Sequence, residues 1–82
     1  MSIVSRTYAA TPGATQVIHF TLTNARILGV KRSGITHYPG VLTPGNLEFV
    51  KIGPVLNFQI PFSGDLTDDP TRKETVFVLF ET

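Results

Sequence analysis

The chain has 82 residues, no cysteine, a net charge of +1, 41% hydrophobic residues and only 16% charged ones. That length allows one domain, the missing cysteine excludes a disulfide staple and any thiolate chemistry, and the near-neutral charge gives no pull toward nucleic acid or an anionic membrane. The charged fraction is low against the roughly 25% usual in soluble domains, so apolar surface is left to cover, which points to self-association.

No apolar run approaches the roughly 20 residues of a membrane-spanning helix. The start, Met1-Ser2-Ile3-Val4-Ser5-Arg6, lacks the continuous apolar stretch of a secretory signal. The expectation is a complete, untargeted product forming a single β domain over residues 1–82, with residues 1–12 as a peripheral strand or arm. Residues 3–8 are the strand within that arm.

Glycine and proline then punctuate the chain at Thr11-Pro12-Gly13, Ser33-Gly34, Pro39-Gly40, Pro44-Gly45-Asn46, Gly53-Pro54 and Ser63-Gly64-Asp65. Breaks about eight to twelve residues apart are the spacing of short strands in a sandwich or barrel. Residues 16–23 alternate, which predicts Ile18, Phe20 and Leu22 facing inward, with Val17, His19 and Thr21 outward. Residues 26–32 and 35–38 flank Ser33-Gly34 and read as a tight hairpin. Residues 47–52 make a shorter strand. Residues 55–62 place Leu56, Phe58, Ile60 and Phe62 inward, and Pro61, which cannot donate to a ladder, puts this strand at an edge or ends it nearby. Asp69 with Pro70 is a helix-start signal, but the β-branched and aromatic run behind it limits the helix to one turn. Residues 74–80 are apolar on both faces, as a central or subunit-covered strand is. The fold class is all-β: an antiparallel β-sandwich or small barrel of six to seven short strands with no substantial helix.

Chemistry is sparse. Asp65, Asp68 and Asp69 form an acidic loop without the ligand interval or closing carboxylate of a calcium-binding hand. His19 and His37 fall on different strands and lack the further ligands zinc needs. Ser33 near His37 has no strained nucleophile turn around it, and no carboxylate pair has a recognisable acid/base placement. The basic pairs Lys31-Arg32 and Arg72-Lys73 lack a stripe of exposed aromatics for nucleic acid. The expectation is therefore no enzyme, no catalytic or metal-binding residue, no cofactor, and neither nucleic acid nor membrane as partner. Tyr38 beside Pro39 and Gly40 offers one ring for sugar stacking. Together with Asp65, Asp68 and Asp69 it defines the alternative, a monomeric module that binds glycan or another surface ligand through its loops.

Three segments in order, residues 27–34, 55–62 and 75–80, resemble small β-sandwich modules of tailed-bacteriophage virion proteins. In those modules a strand runs into an Arg-x-Gly turn (here Arg32-Ser33-Gly34), a later strand ends in Pro-Phe (Pro61-Phe62), and an apolar strand closes the chain. The resemblance implies a capsid-decoration or auxiliary protein, or a fibre or tail adaptor. Such a subunit is made in the host cytoplasm and resides in the virion as a homo-oligomer, a trimer favoured, docked on larger virion proteins. It implies no catalytic or binding residue. After one core face per strand is assigned, the apolar residues left over are Ile3, Val4, Val17, Ile27, Phe77 and Leu79, and these are the expected contacts between copies.

Overall fold

A computed structural model describes residues 2–82; Met1, the first residue of the expected N-terminal arm, lies outside the described residues. Seven strands form: β1 (Ile3–Ala9), β2 (Gln16–Ile18), β3 (Arg26–Arg32), β4 (Ile35–Pro39), β5 (Glu48–Ile52), β6 (Val55–Phe58) and β7 (Thr75–Glu81). Short 3-10 turns at Phe20–Leu22 and Pro70–Arg72 are the only helical elements among the described residues. The fold is all-β, as the turn spacing predicts.

The strands make one nearly closed, barrel-like sheet in the order β1-β7-β3-β4-β5-β6-β2. Two antiparallel halves, β1-β7-β3-β4 and β5-β6-β2, meet through a short parallel contact in which Tyr38 and Pro39 of β4 face Glu48 and Phe49 of β5. This parallel corner is the one departure from an antiparallel sheet. The N-terminal strand and the short β2 are left as the two edges, and they do not pair with each other.

Local chemistry accounts for the hairpins. Ser33 and Gly34 both take positive φ, +49° and +80°, as the two-residue turn between β3 and β4 demands. Gly53, at φ +59°, opens the equally tight turn between β5 and β6. Central β7 contacts β1 on one side and β3 on the other, and it buries Val76, Val78 and Phe80. These pack with Val30, Leu56, Phe58 and Phe62 in one core; each fully buried Leu or Val contributes about 1.5–3 kcal/mol.

Two facing assignments are corrected. Val17 is in the core at 5% exposure while Ile18 and Phe20 lie open, the reverse of the predicted alternation. The cause is local: β2 stops at Ile18, and His19 caps the 3-10 turn at Phe20–Leu22, with its imidazole accepting from the Thr21 N–H. A helical turn does not keep the two-residue period, so Leu22 returns to the core and Phe20 does not. Further on, β6 ends at Phe58 and leaves Ile60 exposed, because the carbonyls of Ile60 and Pro61 turn aside to accept from Arg32. Pro61 thus marks a strand end; β6 itself lies inside the sheet between β5 and β2.

Candidate functional site

Two clusters of polar side chains stand out. The first lies where the sheet fails to close. A groove of ≈ 420 Å³ runs between β1 and β2, lined from Arg6 to Ala9 on one side and from Gln16 to His19 on the other. Beneath it the Tyr8 hydroxyl meets the Thr21 hydroxyl at 2.8 Å, and that hydroxyl meets His19 Nδ1 at 2.7 Å. The Tyr8 and His19 rings are 5.2 Å apart and tilted. Side chains thus bridge the two edges at the floor of the groove, with no backbone ladder between them.

The Thr21 backbone N–H also points at His19 Nδ1 from 3.3 Å, and on the far side of the ring Nη2 of Arg6 lies 3.4 Å from Nε2. Arg6 brings a permanent positive charge to this groove, and no acidic residue lines it among the described residues.

The second cluster is buried. Arg32, 4% exposed, donates from Nε to Glu74 Oε1 at 3.0 Å and from Nη2 to Oε2 at 3.2 Å. Its Nη1 donates to the Ile60 carbonyl at 2.7 Å, and its guanidinium stacks over Phe62 and Phe58. Glu74 also accepts from the backbone and hydroxyl of Ser63 and from the Ser33 hydroxyl. Burial raises the Glu74 carboxyl, but the hydrogen bonds from Arg32 and Ser63, with the guanidinium charge, outweigh it and hold the carboxyl below its ordinary value. His37 lies beside this pair at 4% exposure, edge-on to Phe58, and its Nδ1 has no hydrogen-bond partner. Burial, then the Arg32 charge, push its pKa down against the opposing pull of Glu74, so His37 is neutral. With its ion pair fully engaged, this cluster holds the fold together. In the sequence Arg32 stands as half of the basic pair Lys31-Arg32, and the only local signal for its partner is a Glu at the start of the apolar run 74–80.

The six expected contacts divide. Ile3, Phe77 and Leu79 share the outer face of β1 and β7, where Phe77 opposes Thr7 and Leu79 opposes Ser5. Val4 is on the inner side of β1 but near its open end, and is exposed. Ile27 is partly buried against the core, and Val17 belongs to it, so Val17 is corrected from contact to core residue. Tyr38 is exposed on β4, while Asp65 and Asp69 surround Arg72 at 3.7 and 3.8 Å. Asp69 caps the turn it was expected to cap, accepting from the Thr71 N–H and hydroxyl, and the latter bond leads in holding its pKa below the ordinary value. The groove between β1 and β2 is lined by none of Tyr38, Asp65, Asp68 and Asp69. No group of three potential metal ligands occurs among the described residues. No described helix is long and apolar enough to cross a membrane.

Comparison with protein-family models, curated proteins and solved structures finds no match to this chain.

Proposed function

We propose that the chain is a non-enzymatic structural subunit, a tailed-bacteriophage virion component of the capsid-decoration or adaptor kind, which assembles through contacts between its own copies. The observation that carries this reading is an apolar patch on the outer face of β1, β7 and β3. Ile3 (66% exposed), Phe77 (41%) and Leu79 lie there in neighbouring register rows. The bulge between Ile27 and Gly29 adds exposed Leu28 beside Leu79. Lys31 opposes Phe77 at one side, and the Arg26–Glu81 ion pair borders the patch at the other. An apolar centre with a charged rim is the anatomy of a subunit interface, and contiguous exposed apolar groups are uncommon on monomers without a partner. The full engagement of Arg32 and Glu74 in the core supports a structural role over a catalytic one.

The test is the solution mass of the purified protein, by light scattering coupled to size exclusion. A closed oligomer, reduced to monomer by Phe77→Glu with the strand spectrum intact, supports the reading. A monomer at every concentration, with Phe77→Glu indistinguishable from wild type, would sink the contact assignment.

A further inference from the structure

The two sheet edges that fail to meet have a shape that suits one more strand. Hydrogen bonds flanking β1 run from Thr82 N–H to the Ser2 carbonyl (3.0 Å) and from Ala10 N–H to the Glu74 carbonyl (2.9 Å), so the even-numbered residues of this segment bond to β7. Antiparallel pairing alternates sides, so the N–H and C=O groups of Ser5, Thr7 and Ala9 point to the open edge. On β2 the bonds to β6 come from His19 N–H to the Pro54 carbonyl (3.1 Å) and from Phe58 N–H to the Thr15 carbonyl (2.8 Å). Gln16 and Ile18 are therefore the residues whose backbone groups face away from β6. These two unpaired edges flank the ≈ 420 Å³ groove. Seven residues of β1 at about 3.3 Å each give an edge long enough for a short strand.

We infer that this groove receives an extended segment of a separate partner polypeptide, added as a strand against β1 and β2 and bearing an Asp or Glu side chain held by Arg6. Backbone pairing supplies the affinity and the side-chain position supplies the specificity, as in strand addition generally. The acidic side chain follows from charge: Arg6 brings a permanent positive charge to the groove, no carboxylate lines it among the described residues, and a carboxylate is the acceptor that a guanidinium holds most strongly. Exposed Phe20, stacked on the His19 ring at 4.5 Å, stands beside this position. The inference does not depend on the apolar patch of β7, which lies on the outer face of the sheet and not along its edge.

The experiment titrates the isotope-labelled full chain with nine-residue alternating Thr/Val peptides that carry a central Glu, a central Lys, or the central Glu with prolines at both neighbouring positions. The Glu peptide is expected to shift the amides of Ser5, Thr7, Ala9, Gln16 and Ile18 and to slow their hydrogen exchange. The Lys peptide should bind more weakly by on the order of tenfold, Arg6→Glu should reverse that preference, and the proline peptide should not bind. Shifts elsewhere, none at millimolar peptide, or equal binding of the Glu and Lys peptides would overturn the proposal. Protection of the same amides by raising protein concentration without peptide would also overturn it, in favour of a second copy as occupant. The solution mass remains a separate readout, so a monomeric chain that binds the Glu peptide rejects the homo-oligomer and keeps the groove.

Discussion

Arg32 and Glu74, 42 residues apart in the chain, form a bidentate ion pair at 3.0 and 3.2 Å with both side chains 5% exposed. The pair ties the end of β3 to the residue that precedes β7 and draws the 60–63 segment down onto the core through the Ile60 and Pro61 carbonyls and the Ser63 amide. Charges this deep persist because every partner is present, so removing one should cost more than removing both. Glu74→Leu or Arg32→Met alone should destabilise the chain by about 3–5 kcal/mol in urea unfolding, and the double variant should recover most of that loss. Additive losses in the double variant would mean that the two groups act independently.

Acid should unfold the chain in two stages. The folded pKa of His37 lies below its ordinary value of 6.5, so the unfolded chain takes up a proton there before the folded one does. The neutral-His contribution is complete above that ordinary value and is lost as pH falls from it toward the lowered folded value. Glu74, lowered from 4.5, contributes above that value and loses its contribution as pH falls through its folded pKa. His37→Phe should therefore flatten the pH dependence of stability just below neutrality and leave the steeper acid limb. An unchanged profile in that variant would remove His37 as the cause of the first stage.

Aspartate scanning separates core from surface along the strands. Val17→Asp buries an unpaired charge in the core, and should cost roughly 4 kcal/mol or more, unfolding the chain without passing through a folded monomer. Phe77→Asp sits on the outer face and should keep the fold, with a stability change within about 1 kcal/mol once any effect of dissociation is separated out. Circular dichroism and thermal melts of the two variants decide this; a folded Val17→Asp protein would contradict the reversed facing of β2.

Glycine replacements should differ in cost by position. Gly34 has φ +80° with open space around a would-be Cβ, so Gly34→Ala should cost only the left-handed penalty of about 1–2 kcal/mol. Gly64, at φ +117°, would drive its Cβ into the Arg72 carbonyl, which accepts from the Asp65 N–H. Gly64→Ala should thus break the isolated bridge between Gly64 and Lys73 and lose clearly more stability than Gly34→Ala. Equal midpoints in urea for the two variants would argue against the close approach.

Much of the sheet is legible in the chain itself. The Ser33-Gly34 turn, the alternation that puts Leu56 and Phe58 inside, and the two-faced apolar run of β7 are local signals, each set by backbone sterics or by a period of two within a few residues. By themselves they determine an all-β chain of short strands. Tertiary structure alone decided which edges stay open, that β4 meets β5 in parallel, that Arg32 is buried, and that Val17 and Phe20 exchange sides. The physical reason is distance along the chain. Arg32 needs Glu74 and the carbonyls near Pro61 to be buried at tolerable cost, and the Arg6–His19 position exists only because β1 and β2 are brought side by side without pairing. Hydrophobic period reports which face a residue takes within its strand, but it carries no information about which strand will lie beside it.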